Sequence, residues 1–228
     1  GQIVPTQEQE ALIAAAKAGG SMVVKAFAGN GKTTGLAMLA EASPARKILY
    51  LAFNRSIVGD AEKKMPAKVR VKTFHSLAYA AMGMGSQRSR LDIRLNGGGV
   101  AEHFRLASAQ LAKGKDLSPA MIGNLVMSAL DRFHASAAAD LNEQHVPPLR
   151  SLFDGGLPAG FNEAMPAWLA VKEIVLRCAR KAWAEQCDRG SDFPLTHDAY
   201  VKQWALSNPR IDADLILFDE AQDASPVF

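Results

Sequence analysis

Apolar residues recur in this chain in two rhythms, and the places where one gives way to the other mark out its elements. Short runs rich in apolar residues, the third of them alternating, stand at Ser21-Met22-Val23-Val24-Lys25, at Lys47-Ile48-Leu49-Tyr50-Leu51-Ala52-Phe53, at Val69-Arg70-Val71-Lys72-Thr73-Phe74 and at Ala213-Asp214-Leu215-Ile216-Leu217-Phe218. Runs of this length, bounded by polar or turn residues, predict buried strands. Each of the first three leads into helical spacing. After the first comes Leu36-Ala37-Met38-Leu39-Ala40; after the second, a helix capped by Asn54, reaching about Lys64 and closed by Pro66; after the third, His75-Ser76-Leu77-Ala78-Tyr79-Ala80. Strands alternating with helices predict an α/β fold with a parallel, doubly wound sheet, whose ligands sit at the carboxyl ends of the strands. Ahead of these, Ala11-Leu12-Ile13-Ala14-Ala15-Ala16-Lys17 is helical and Gly19-Gly20 ends it, while Thr6 with Gln9 has the form of a capping box.

From Gly83 the rhythm changes. Residues 83–90 and 96–99 are loop material, and helical patterns then run over 100–113, 119–134 and 166–188, with Ser118 before Pro119 as an N-cap and first-turn pair. The Gly- and Pro-containing stretch 135–165 reads as an irregular connection. No strand pattern stands out in this block, so it predicts an all-helical insertion at 83–190 within an α/β domain formed by 1–82 and 191–228. Past it, Thr196 caps a helix over 197–207 and Pro209 stops it.

Composition narrows the class only a little. With 228 residues, 48% of them hydrophobic, the chain can bury one good core or two smaller ones. No run approaches the ~18–20 apolar residues of a membrane span, and the start lacks the build of a signal peptide, so the expectation is no membrane and a cytoplasmic protein, or a nuclear one in a eukaryote. Cys178 and Cys187 fit neither a disulfide framework nor a zinc site and read as packing residues. The net charge of +3 permits contact with nucleic acid without demanding it. Arg177, Arg180 and Lys181 read first as a solvated helix face.

Chemistry concentrates at two places. Between the first predicted strand and its helix stands Ala26-Phe27-Ala28-Gly29-Asn30-Gly31-Lys32-Thr33-Thr34. Gly29 and Gly31 permit a tight turn that brings backbone N–H groups to phosphate oxygens, and the following helix aims the positive end of its dipole at them. Lys32 offers a point charge to the outer phosphates, and the Thr33 hydroxyl suits Mg²⁺. Ala26 stands where the first glycine of the usual phosphate loop would be. Read alone, the segment has as its lesser alternative a glycine-containing strand-to-helix turn without a ligand. The last apolar run ends in Asp219-Glu220, two adjacent acids of which the first can hold Mg²⁺ and the second can polarise a water that attacks a γ-phosphate. The combination predicts a nucleoside triphosphatase.

At Asp219-Glu220-Ala221-Gln222-Asp223 the chain resembles a family. Together with the loop above, Leu51-Ala52-Phe53-Asn54-Arg55-Ser56, Lys72-Thr73-Phe74-His75-Ser76-Leu77-Ala78-Tyr79 and Leu195-Thr196-His197-Asp198-Ala199-Tyr200, this box looks like the front half of a UvrD/Rep-type superfamily 1A DNA helicase, within it the F-box DNA helicase branch. The motifs run in the family's order from Gln9 to Asp223, the helical middle being loosely matched, and an alanine at the head of the loop is usual there. No F-box is seen, so a ubiquitin-ligase role is not implied.

The resemblance implies a RecA-like P-loop NTPase sheet with a helical insertion, ATP and Mg²⁺ as cofactors, and single-stranded DNA as partner. Gln9 would read the adenine. Ala28, Gly29, Asn30, Gly31, Lys32, Thr33 and Thr34 would hold the phosphates, Thr33 and Asp219 the metal. Glu220 would be the catalytic base, and Gln222 would link the nucleotide to the DNA-contacting elements. Phe53, Asn54, Arg55, Thr73 and His75 would line the strand track, an aromatic face stacking on bases at ~1–3 kcal/mol each. Phe74 reads first as core packing, Phe53 stands evenly between packing and the strand track, and His75 reads equally as a helix N-cap residue. The family's second RecA-like domain, which donates arginine fingers worth ~10³–10⁵ in rate, lies beyond these motifs. The expectation is that the 228-residue chain alone is a monomer that binds ATP–Mg²⁺ weakly without unwinding DNA, while the full enzyme moves 3′→5′. Two other classes remain open on the residues: a P-loop enzyme without nucleic acid, such as a small-molecule kinase, and a non-catalytic DNA- or partner-binding module.

Overall fold

A computed structural model describes residues 6–18, 20–23, 32–52, 55–112, 114–152, 161–221 and 224–227, with the side chains of 8, 9 and 161–163 left aside. Contacts divide the chain into two compact units, Gly1–Leu77 with Arg210–Ala224, and Ala78–Pro209 with Ser225–Phe228.

The first unit contains helices α1 (Gln7–Ala18), α2 (Lys32–Ala42) and α3 (Arg55–Lys64), and strands β1 (Ile48–Ala52), β2 (Val69–Thr73) and β5 (Leu215–Phe218); α4 (Phe74–Ala81) begins where β2 ends. The strands form a parallel sheet in the order β2-β1-β5, with Ile48 opposite Val69 and Leu215, and Leu51 opposite Lys72 and Phe218. All five residues of β1 are buried, as an unbroken apolar run in a parallel sheet requires, whereas β2 alternates, its Arg70 and Lys72 facing out. Ile48, Tyr50 and Ala52 pack with Val71 and Leu217 against Leu39 and Ala40 of α2 and Ala61 of α3. Each large apolar side chain so buried contributes ~1.5–3 kcal/mol. The Asp214 carboxylate accepts the amides of Arg46 at 3.0 Å and Lys47 at 2.9 Å, pinning the entry of β5 to that of β1. The predicted strand at 21–25 does not appear over its described part: Ser21, Met22 and Val23 find no ladder partner among the described residues, and Val23 is 86% exposed. Val24 and Lys25 lie outside the described residues.

The second unit contains α5 (Arg88–Leu91), α6 (Gly97–His103), β3 (Ala109–Ala112), β4 (Lys115–Leu117), α7 (Pro119–Ala135), α8 (Phe161–Cys187) and α9 (His197–Leu206). It therefore takes α9, which the sequence pattern assigned to the α/β domain. Nor is the block all-helical. The helix expected over 100–113 stops at His103, Arg105 turns to a φ of 52°, and β3 pairs antiparallel with β4 through a turn where Gly114 has a φ of 77°. Only glycine adopts that backbone without strain.

The glycine run 96–99, read as loop, instead opens α6, with the Asn96 side chain accepting the Gly99 amide at 2.9 Å. Its reason lies in packing: a Cβ on Gly123 of α7 would stand 2.0 Å from the Gly97 carbonyl oxygen, so the two helices touch through their backbones. The connection 135–165 holds 3₁₀ turns at Glu143–His145 and Leu149–Leu152, and α8 begins at Phe161, carrying Pro166 inside it at the loss of one ladder N–H. The Ser118 and Thr196 caps form as expected, accepting the amides of Met121 and Ala199. Cys178 is buried, but Cys187, expected to pack, is exposed.

Two buried cations organise this unit's interior. Arg90 donates to the carbonyls of Phe193, Asp188 and Glu185 at 2.8 Å each and to Gln87 Oε1 at 2.9 Å. Lys202 donates to the carbonyls of Ser136 at 2.7 Å and Ala138 at 2.6 Å, with its ammonium 4.5 Å from the centre of the Phe133 ring. No helix among the described residues is long and apolar enough to cross a membrane.

Candidate nucleotide site

A parallel sheet delivers the ends of its strands to one edge, so residues remote in sequence arrive there together. β5 runs beside β1 until the Asp219 amide donates to the Leu51 carbonyl at 3.2 Å, and the two acids follow at once. Lys32 and Thr33 open α2. Across 188 positions the Lys32 ammonium donates to Glu220 Oε1 at 3.0 Å, and across 186 the Thr33 hydroxyl donates to Asp219 Oδ2 at 3.3 Å. The lysine of the first motif and the paired acids of the second thus meet.

Asp219 is the most enclosed member, 7% exposed. Three donors surround its carboxylate: the Thr33 hydroxyl and the Tyr50 hydroxyl both reach Oδ2, and the Glu220 amide reaches Oδ1 at 3.0 Å. Burial, and then the Asp219 carboxylate beside it, pushes the Tyr50 phenol well above its usual range, so it stays a donor. Glu220 holds a φ of 52°, a region costly for a residue with a Cβ. That turn aims its amide back at Asp219 and its carboxylate at Lys32. The ion pair is half in water, with side chains 25% and 30% exposed, so its net strength is that of a surface pair, ~0.2–1 kcal/mol.

Thr33 and Asp219 present hard oxygens of the kind Mg²⁺ selects. Among the described residues no group of three or more His, Cys, Asp or Glu could hold a metal ion, so a cation here would rest on Thr33, Asp219 and oxygens brought by a ligand.

Of the other expected nucleotide residues, Thr34 is half-buried in the first turn of α2. Gln9 lies in α1 with its side chain outside the described residues, and Ala28, Gly29, Asn30, Gly31 and Gln222 lie outside them altogether, as do Phe53 and Asn54 of the expected strand track. Arg55 is exposed at the start of α3, and His75 is half-buried in the first turn of α4. Thr73, at the carboxyl end of β2, is 8% exposed, and its hydroxyl accepts the Ser76 amide at 3.1 Å while Ser76 Oγ donates back to the Thr73 carbonyl at 2.8 Å. That hydroxyl caps α4, so the N-cap position considered for His75 is held by Thr73. Phe74 meets Phe218 edge-on at 5.0 Å, the packing role that was its plainer reading.

Tyr50 was missed. Its signal was the lone polar atom in the apolar run of β1, opposite Leu217 and so two residues short of Asp219 on the same face of the neighbouring strand. A diagonal of this kind spans ~7–8 Å, within reach of a tyrosine.

The fold and site together define a class: a mixed α/β protein with a small parallel sheet, compatible with a RecA-like arrangement, bearing a lysine and a threonine at a helix opening beside two acids that follow a strand. Known proteins sharpen it. The chain is 30% identical to F-box DNA helicase protein 1 of Schizosaccharomyces pombe and 29% identical to F-box DNA helicase 1 of Gallus gallus, in each case across 97% of its own length. It spans only 25% and 21% of those proteins. The chain is thus homologous to a segment of the F-box DNA helicases, the superfamily 1 branch its motifs resemble. No family model and no solved structure matches it.

Proposed function

We propose that this chain is the nucleotide-binding motor segment of an ATP-dependent DNA helicase or translocase, its first unit the RecA-like domain and its second the insertion. The observation that carries this reading is the double meeting of Lys32 with Glu220 and Thr33 with Asp219. Without nucleotide, Lys32 and Glu220 neutralise each other. A triphosphate competes for Lys32, and Glu220 is then released to orient and deprotonate water. Thr33 and Asp219 would hold Mg²⁺, which neutralises charge developing on the phosphates. Asp219 stays oriented through Tyr50 and the Glu220 amide, so the acids keep separate roles. Exposed Arg55 and half-buried His75, past the carboxyl ends of β1 and β2, are the described side chains offered to a single-strand backbone. The Thr73 hydroxyl, which accepts the Ser76 amide, keeps its own proton to donate to a phosphate.

The full enzyme would translocate 3′→5′ and draw an arginine finger from a second RecA-like domain, so this chain alone would bind Mg²⁺–ATP weakly and not unwind. The test is steady-state ATP turnover by the full-length protein with and without single-stranded DNA. Stimulation abolished by Lys32→Ala supports the motor; turnover indifferent to DNA would point to a P-loop enzyme without nucleic acid, and DNA binding and function intact in Lys32→Ala to a non-catalytic module.

A further inference from the structure

We propose that Tyr50 is a positioning residue of the nucleotide site, holding Asp219 in the orientation that a divalent cation requires. This rests on the nucleotide reading above and adds to it a residue from outside both motifs. Three donors fix the Asp219 carboxylate, and they differ in how firmly they are themselves held. Thr33 stands in the first turn of α2, and the Glu220 amide belongs to a single residue turned to positive φ. Tyr50 sits in the middle of the central strand of the described sheet, fully buried, between Val71 of β2 and Leu217 of β5. Its ring cannot swing without opening the core, so its hydroxyl marks a fixed point against which Asp219 Oδ2 is set.

A hydrogen bond from a rigid neighbour to a metal-binding carboxylate fixes that ligand's torsions in advance, and its loss typically costs ~10–100-fold in metal affinity. The plain alternative is a core tyrosine whose hydroxyl merely finds an acceptor. The two differ in what they couple to: a packing residue acts on stability alone, a positioning residue on the cation's contribution to nucleotide binding.

The experiment measures binding of a fluorescent ADP to the full chain, in EDTA and across a Mg²⁺ titration, for wild type and Tyr50→Phe. In EDTA the variant should match wild type within about twofold, because Lys32 is untouched, while the Mg²⁺ needed for half-maximal tightening should rise by ~10–100-fold. An unchanged Mg²⁺ dependence, or equal loss with and without Mg²⁺, overturns the role of Tyr50 alone. Absence of nucleotide binding by wild type overturns the nucleotide reading along with it. Should Tyr50→Phe fold poorly, wild-type protein carrying 3-fluorotyrosine answers the same question, since the chain has only three tyrosines, assignable with Tyr79→Phe and Tyr200→Phe. The Tyr50 resonance should shift with Mg²⁺–ADP and not with ADP in EDTA; no Mg²⁺-dependent shift overturns the proposal.

Discussion

Replacing Lys32 by alanine separates a lysine kept for a ligand from one kept for the fold. Among the described residues its loss removes the ion pair with Glu220, whose two side chains are 25% and 30% exposed. A pair so hydrated stabilises by ~0.2–1 kcal/mol, and Glu220, still reached by water, is not stranded when its partner goes. For a protein of this size 1 kcal/mol moves the melting temperature by ~2–4 °C, so Lys32→Ala should melt within about 4 °C of wild type. Ligand binding works on a larger scale: at 100 times its dissociation constant a nucleotide stabilises the folded state by ~2.7 kcal/mol, a rise of ~5–10 °C. Differential scanning fluorimetry with and without Mg²⁺–ATP therefore reads both quantities in one plate. The variant should keep its apo melting point and lose the nucleotide-induced rise. A drop in the apo melting point well beyond 4 °C, or a nucleotide-induced rise equal to wild type, would refute the reasoning.

Gly123→Ala sets helix propensity, which favours alanine by ~1 kcal/mol, against a new Cβ 2.0 Å from the Gly97 carbonyl oxygen; backbone cannot yield as a side chain would, so a net loss of ~1–3 kcal/mol is expected in chemical denaturation, and stabilisation would contradict the close crossing of α6 and α7. Arg90→Met should cost ~3–5 kcal/mol, because four acceptors in the second unit lose their donor at once; a loss under 1 kcal/mol would show that water replaces it. His134 is buried in α7, and burial pulls its imidazole down to about 4, against the pull of Asp198 and Gln186 and with a small push from Lys202. The unfolded chain then binds the extra proton first, so stability is full above about 6.5 and declines as pH falls towards 4, by ~3 kcal/mol at ~1.4 kcal/mol per unit. Urea midpoints at pH 7 and pH 5 should show this decline, and His134→Leu should flatten it.

What the sequence could reveal depended on whether a signal was local. β1 and β5 were legible because an unbroken apolar run has few other uses and β2 because it alternates, and the meeting of Lys32 and Thr33 with Asp219 and Glu220 was legible because the two motifs together leave few other arrangements. The hairpin of β3 and β4 was not, since runs of four and three residues are too short to show alternation. Nor was the helix that starts at Gly97. Three successive glycines oppose it locally, and the approach of α7 explains the first of them, Gly97. Periodicity tells which positions turn inward but not which partner waits there. Hence Lys202, lying over Phe133, Tyr50, reaching Asp219, and the Thr73 hydroxyl, capping α4, became visible only in three dimensions.

The most direct test is a crystal structure of the chain with Mg²⁺ and a non-hydrolysable ATP analogue. The account predicts the triphosphate on Lys32, with the Lys32–Glu220 pair opened, and the cation between the Thr33 hydroxyl and Asp219, with the Thr33 oxygen at ~2.0–2.1 Å. A nucleotide bound elsewhere, or a cation touching neither residue while Lys32 and Glu220 stay paired, would contradict it.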